Sequence, residues 1–219
     1  GSADMLECLG MPLPLHEAAA VDCLQATNFT FLFAPAYHPA MKAVEPIRGA
    51  LSVRTVFNVL GPLTNPAAPP YHLIGAYSKE AAKLMAETLS GMPLERAFVV
   101  HGEPGWDEAT PAGNFVLYDV RPGSVAEETR SPGDYGLEGC TPEALQGGDA
   151  EHNARELIRV FTGEDKGAHR DALLMGTSLV LEVQGIANGP VDGVAQAAAA
   201  LDDGRAESFL AELKAHFRK

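Results

Sequence analysis

Two adjacent carboxylates, Asp107 and Glu108, have the types and spacing that most directly suggest chemistry in this sequence. They lie on a glycine-containing loop within VVHGEPGWDEATPAG (99–113), after an apolar segment that ends at His101. Ligands of α/β proteins bind at loops that follow the carboxyl ends of strands. Adjacent carboxylates there can hold Mg²⁺ together with water and substrate oxygens. A surface loop that simply carries two acids explains the spacing equally well.

A second candidate segment, HPAMKAVEPIRGALSVRTVFNVLGPLTNP (38–66), carries Lys42, Arg48 and Arg54 at near-helical spacing. A guanidinium group suits a planar carboxylate because its donors can bind both oxygens. For Lys42 we favour a solvated surface position. For Arg54, which is flanked by apolar residues, a structural ion pair is the favoured interpretation.

A third segment, GGDAEHNARELI (147–158), places two glycines before a predicted helix, where backbone can approach a phosphate. The simpler interpretation, which we favour, is that Asp149 caps the helix N-terminus. His152 and His169 lack zinc-type spacing, so the histidines predict no metal site by themselves.

The elements that must position these residues alternate between strand and helix. A βαβ unit is predicted from YHLIGAY (71–77), KEAAKLMAETLSG (79–91) and RAFVVHG (96–102). Further strands are predicted at 114–120 and, from the aromatic run NFTFLFAP, at 28–35. An acidic stretch rich in glycine and proline then leads to about residue 148.

Helical patterns account for most of the remaining chain. They cover residues 2–9 with Ser2 as a cap, 15–25 and 39–51, and they continue from Ala150 to Phe217. Within RTVFNVLGPLTNP (54–66), a short helix is expected to lead into a turn built from Gly61, Pro62, Asn65 and Pro66.

Composition describes an ordinary globular chain of 219 residues with 46% hydrophobic residues. No apolar run approaches the roughly 20 residues of a membrane helix, and the first residues lack signal-peptide features. Three widely spaced cysteines favour reduced thiols in a cytoplasmic protein. A net charge of −13 argues against nucleic-acid binding. A bound phosphate would therefore need a local positive charge or a metal.

Taken together, the motifs resemble the anthranilate phosphoribosyltransferase family over nearly the whole chain. The matching segments are GSADMLECLG (1–10), FLFAPAYHPAMK (31–42), PIRGALSVRTVFNVLGPLTNP (46–66), VVHG followed by DE, GGDAEHNA and RDALL. The stretch RTVFNVLGPLTNP is long and specific, so chance similarity is an unsatisfactory explanation.

The resemblance implies an α/β fold with a central mixed β-sheet flanked by helices, like that of nucleoside phosphorylases and phosphoribosyltransferases. Residues 1–35 and 67–219 would belong to the α/β domain, and residues 36–66 to part of a small helical domain. The family's N-terminal helices, its glycine-rich GTGGD loop and its KHGN-type segment are absent from this chain. The isolated chain can therefore be inactive even if its parent is an enzyme.

The implied activity is transfer of phosphoribosyl from phosphoribosyl pyrophosphate to anthranilate, in tryptophan biosynthesis, with Mg²⁺ as cofactor. The implied assembly is a cytoplasmic homodimer that binds neither nucleic acid nor membrane. Alternatives are an enzyme like nucleoside phosphorylase, and a non-catalytic relative that binds a ligand or nucleic acid.

Site residues follow from the resemblance by position. Arg48 matches the arginine that contacts anthranilate, and Asp107 with Glu108 matches the pair that binds magnesium with the pyrophosphate. Residues matching the wall of the substrate tunnel are Ala34, Met41 and Pro62. No residue is expected to act as a general base, because catalysis of this kind depends on positioning.

Overall fold

The computed structural model describes residues 1–38 and 57–218, which form a four-stranded sheet with helices around it. The strands are β1 (Tyr71–Gly75), β2 (Arg96–Gly102), β3 (Phe115–Arg121) and β4 (Ser124–Arg130). The helices are α1 (Ser2–Cys8), α2 (Glu17–Thr27), α3 (Ala34–Tyr37), α4 (Phe57–Leu63), α5 (Lys79–Ser90), α6 (Ala150–Phe161), α7 (Ala168–Val183), α8 (Pro190–Asp202) and α9 (Arg205–Phe217), with short 3₁₀ helices at Pro132–Tyr135 and Pro142–Leu145.

The sheet has the order β1-β2-β3-β4 and is mixed, as the resemblance implies. Strand β1 pairs in parallel with β2, and α5 connects the two strands. Strands β2, β3 and β4 pair antiparallel in sequence order. Because β1 and β2 are parallel, their carboxyl ends meet at the same edge of the sheet.

At β2, both faces of the sheet are covered by helices. On one face, Val99 of β2 packs in a cluster with Ala82 and Met85 of α5. On the other face, the neighbouring residue Phe98 packs in a cluster that includes Met175 of α7. Successive strand residues point to opposite faces, so a continuous apolar run is what a doubly covered strand requires. The predicted strand at 96–102 is confirmed at both ends.

The strand predicted at 28–35 is wrong. Asn28 ends α2 in the left-handed conformation (φ 57°), and the chain runs irregularly to α3. Phe29 and its apolar neighbours pack instead on the cluster between α2 and α9, where its ring meets Phe209 edge-on at 5.8 Å. The run is apolar because it packs against helices, and this packing does not require pairing with another strand.

The turn predicted around Gly61 and Pro62 begins later in the chain. Both residues lie inside α4, which ends one residue after Pro62. The turn follows, with the Ala68 amide donating to the Asn65 carbonyl at 3.1 Å. Similarly, Ser2 is the first residue of α1, and Gly1 holds the N-cap position that Ser2 was expected to hold.

Other predictions have mixed outcomes. The helix predicted at 39–51 lies outside the described residues, and the division into two domains stays a prediction. Cys8, Cys23 and Cys140 are free thiols, as expected. Among the described helices, none combines the length and apolar character that crossing a bilayer demands.

Candidate active site

The loop after β2 folds back on the end of its own strand. Gly102 and Trp106 exchange backbone hydrogen bonds, each 2.9 Å from amide nitrogen to carbonyl oxygen. Farther along, the Glu103 amide donates to the Asn114 carbonyl at 2.9 Å, which closes the base of the loop where β3 begins. The loop is therefore fixed at both ends, and Asp107 and Glu108 follow directly after its first fixed point.

The acidic pair lies across the carboxyl ends of both parallel strands. A Cβ atom added to Gly75, the last residue of β1, would overlap the backbone carbonyl oxygen of Asp107. One added to Gly102, the last residue of β2, would overlap the carbonyl oxygen of Glu108. The backbone of the pair thus rests on two strand ends with no room for a side chain between them.

Both carboxylates reach solvent. Partial burial raises the pKa of the Glu108 carboxyl above the usual glutamate range, and the adjacent charge of Asp107 raises it further. Two neighbouring carboxylates disfavour each other's ionised form unless a cation compensates them. The pair therefore has the donor chemistry and the charge that a hard divalent cation requires.

Two cavities open beside the pair. The smaller, of 390 Å³, is lined by Trp106, Asp107, Glu108, Thr110, Leu145, His169 and Ala172. The larger, of 980 Å³, is also lined by Glu108 and extends along apolar residues of α6 and α7 to Leu73 of β1. Largely apolar concavities with a few convergent polar groups are typical of small-molecule sites.

Positive charge is scarce at this site. No lysine or arginine from residues 1–38 or 57–218 lines either cavity. Among the described residues that line the smaller cavity, His169 is the only histidine. An anionic ligand would therefore depend on a bound cation, or on groups outside the described residues, for neutralisation.

The structure treats the predicted site residues unequally. It places Asp107 and Glu108 together, at the position on the sheet that the sequence predicted. Ala34 at the start of α3 and Pro62 in α4 are both exposed, and neither lines the two cavities beside the acidic pair. Arg48 and Met41 lie outside the described residues. The substrate-binding roles of these four residues stay predictions.

The segment before α6 supports the simpler of its two interpretations. The Asp149 carboxylate accepts a hydrogen bond from the His152 amide at 2.8 Å, so Asp149 is the N-cap. Ligand atoms of Glu156 in α6, of Asp165 in the following loop and of His169 in α7 lie within 4.8 Å of one another. Both carboxylates already have partners in the protein.

The partner of Glu156 is Arg159, whose Nη1 atom lies 2.9 Å from Glu156 Oε2. His169 Nδ1 lies 3.3 Å from Asp165 Oδ2, and Gly167 donates its amide to the other Asp165 oxygen at 2.8 Å. The hydrogen bond from the Gly167 amide, with a smaller contribution from His169, lowers the pKa of Asp165. We interpret these contacts as local ones that hold the end of α6, the following loop and the start of α7.

Sequence reasoning missed two features of the site. His169 was considered only for zinc-type spacing, and its place beside the acidic pair depends on α7 packing next to the loop. The sequence patterns assign no role to Gly75 or Gly102, although glycine in a strand can signal close backbone approach. Only the fold reveals which backbone approaches them.

The sheet, its flanking helices and the acidic loop define an α/β protein with a candidate cation site at the ends of its parallel strands. Residues 1–207 match the glycosyl transferase family, a/b domain. The chain belongs to this family.

Its relatives are more specific. The chain is 43% identical over 210 residues to the anthranilate phosphoribosyltransferase of Rubrobacter xylanophilus, a match that covers 96% of this chain and 61% of the relative. Among solved structures, anthranilate phosphoribosyltransferase from Thermus thermophilus superposes with a TM-score of 0.90 at 39% identity, covering 100% of this chain and 65% of that one.

A second solved structure is the anthranilate phosphoribosyltransferase of Saccharomyces cerevisiae in complex with PRPP and Mg. It has a TM-score of 0.90 at 29% identity and covers 100% of this chain and 63% of that one. These similarities confirm the family resemblance and the α/β fold that it implies. This chain spans about 61% of the length of the curated relative from Rubrobacter.

Proposed function

We propose that the protein to which this chain belongs transfers a phosphoribosyl group from phosphoribosyl pyrophosphate to anthranilate, releasing pyrophosphate. The observation that carries the proposal is the Asp107–Glu108 pair, which lies across the ends of two parallel strands beside an apolar cavity. The yeast relative crystallised with PRPP and Mg supports the same ligand class.

Asp107 and Glu108 would hold Mg²⁺, and their carboxylates fit it because both reach solvent and together carry two negative charges. When bound, the ion would neutralise charge on the departing pyrophosphate. The raised pKa of Glu108 means that a proton competes for the same oxygens. The negative charge of Asp107 favours the binding of any positively charged species, a proton or a metal ion, at Glu108.

The remaining roles concern orientation. Arg48 is proposed to bind the anthranilate carboxylate through its two-donor guanidinium, which would direct the amine at the anomeric carbon. An aromatic amine is already neutral at pH 7, so the reaction needs no strong base. The homodimer and the cytoplasmic location that the resemblance implies stay predictions.

Cation binding can be tested on this chain with Tb³⁺, a hard cation that takes oxygen ligands. Trp106 is the only tryptophan and adjoins Asp107, so it can transfer excitation to an ion held by the pair. Asp107→Asn and Glu108→Gln should each abolish most of the sensitised emission, and Mg²⁺ should compete for the site. Glu95→Gln, at the opposite end of β2, is the matched control and should bind normally.

Turnover is tested by the loss of anthranilate fluorescence with phosphoribosyl pyrophosphate and Mg²⁺. The assay compares this chain with a longer form that has the full length of the relatives. Turnover by either form supports the proposal. If a folded longer form binds Mg²⁺ but consumes no anthranilate, the acceptor is wrong, and release of free base from a nucleoside would favour the phosphorylase alternative.

A further inference from the structure

Gly75 and Gly102 end two neighbouring parallel strands, and both contact the backbone beneath the acidic pair. At each position, an added Cβ would fall well inside 3.0 Å of a carbonyl oxygen, from Asp107 and from Glu108 respectively. Real Cβ atoms essentially never approach so closely, so a side chain at either position would require the loop or the strand end to move. The obstructing atoms are backbone, which cannot rotate away as the end of a side chain can.

Backbone conformation does not explain these glycines. Eight glycines of the described chain have positive φ, where glycine is favoured for its conformational freedom, and neither Gly75 nor Gly102 is among them. Their local conformation would accept alanine. The space above each strand end would not accept an alanine Cβ. Glycine is therefore required at both positions because the loop crosses them.

Other contacts hold the same junction together. His101 Nδ1 lies 2.8 Å from the Ala76 carbonyl oxygen, and the Ala76 amide donates to the Val100 carbonyl at 2.9 Å. These contacts tie the end of β1 to the end of β2. The two glycines therefore form one platform, and the backbone of the acidic pair lies against both of them.

We propose that Gly75 and Gly102 are positioning residues that set the height and orientation of the Asp107 and Glu108 carboxylates over the strand ends. This inference rests on the proposed cation-binding function of that pair. Groups that orient metal ligands typically affect metal affinity by about 10- to 100-fold when altered. An alanine at either glycine lifts the loop and spoils the geometry without removing a ligand.

The test uses Gly75→Ala and Gly102→Ala in this chain. Tb³⁺ affinity, read from emission sensitised by Trp106, should fall by about 10- to 100-fold in each variant. Gly91→Ala is the matched control, because its Cβ would meet only the Thr88 carbonyl oxygen at 3.6 Å, an ordinary contact. Its affinity should equal that of the unaltered chain, and circular dichroism verifies the fold of all three variants.

A second readout does not involve a metal. The Trp106 backbone is hydrogen-bonded to Gly102. Lifting the loop should therefore change the quenching of Trp106 fluorescence by acrylamide. A purely structural loss of stability would lower the melting temperature without changing quenching in the folded state. Unchanged Tb³⁺ affinity together with unchanged quenching in both variants overturns the proposal.

The two proposals can fail separately. If Asp107→Asn leaves Tb³⁺ binding intact, the cation site is wrong, and the quenching of Trp106 alone decides the role of the glycines. If neither alanine variant folds, amide exchange in the unaltered chain decides it. The Gly102 and Trp106 amides should exchange slowly, and rapid exchange at both would show that no fixed platform exists.

Discussion

Asp107 and Glu108 are adjacent acidic residues, and the charge of one affects the protonation of the other. Cation binding by the pair should therefore depend on pH. The pKa of Glu108 is raised, first by burial and then by Asp107, so the folded chain holds this proton more tightly than the unfolded chain does. The stabilising contribution of the protonated group is complete below the ordinary glutamate pKa. It is lost as pH rises through the raised pKa. Cation binding requires the ionised form and must show the opposite trend.

We therefore predict that Tb³⁺ affinity rises with pH across the window that begins at the ordinary glutamate pKa, and levels off above the raised pKa of Glu108. Asp107→Asn should lower the Glu108 midpoint, because it removes the like charge while keeping the side-chain volume. NMR titration of the Glu108 carboxyl carbon measures this midpoint. A midpoint that Asp107→Asn leaves unmoved would show that Asp107 has no part in the shift.

At the scale of elements, a buried ion pair joins the sheet to α7. Arg130, the last residue of β4, donates at 2.9 Å both to Glu182 of α7 and to the Tyr135 hydroxyl. Glu182 is 6% exposed, and its second carboxylate oxygen lies 3.3 Å from the Ser178 hydroxyl. Removing Glu182 leaves the Arg130 guanidinium, which is 15% exposed, without its buried charged partner and with Glu128 as its remaining carboxylate.

Glu182→Ala should consequently lower the free energy of unfolding by about 1–3 kcal/mol, as measured by urea denaturation. Glu128 pairs with the same arginine at 2.6 Å but is 47% exposed, which makes it the matched control. Glu128→Ala should cost less than about 1 kcal/mol, because solvent screens an exposed pair. Equal losses in the two variants would refute the distinction between buried and exposed partners.

Two glycines in the packed helices α7 and α8 provide a second pair of matched variants. A Cβ on Gly193 of α8 would overlap the Ser178 hydroxyl of α7, whereas Gly176 of α7 has no such obstruction within 4 Å. Gly193→Ala should destabilise the fold by about 1–3 kcal/mol through overpacking. Gly176→Ala should stabilise it by up to about 1 kcal/mol, because alanine favours helix. Thermal denaturation should give opposite signs, and shifts of the same sign would contradict the packing of α7 on α8.

The sequence predicts most accurately those elements whose hydrophobic pattern fits only one kind of structure. RAFVVHG became β2 with both boundaries correct, because a continuous apolar run bounded by polar residues fits a strand covered on both faces. The aromatic run at 28–35 has two solutions, pairing in a sheet or covering helices, and tertiary packing selected the second. The position of Asp107 and Glu108 on a loop after β2 can be predicted because the loop is continuous in sequence with that strand. The place of His169 beside it depends on residues far apart in sequence.

Considered as a whole, the molecule carries a charge of −13, which opposes the alternative of a nucleic-acid-binding relative. Affinity for nucleic acid comes mainly from lysine and arginine that neutralise phosphates. We predict no change in the fluorescence anisotropy of a labelled duplex DNA or single-stranded RNA at physiological salt. Binding that weakens steeply with added salt would restore that alternative.

The sheet has one further consequence, which arises from β1. No described strand pairs with its outer edge, and its residues Tyr71 and Leu73 are 38% and 36% exposed. An open edge offers a row of unpaired backbone groups on which a strand from another molecule can assemble, a recognised route to aggregation. Mutual repulsion between chains of charge −13 opposes such encounters, and salt screens that repulsion. Aggregation of this chain through the outer edge of β1 is therefore opposed by its net charge, and dilute salt favours the dispersed state.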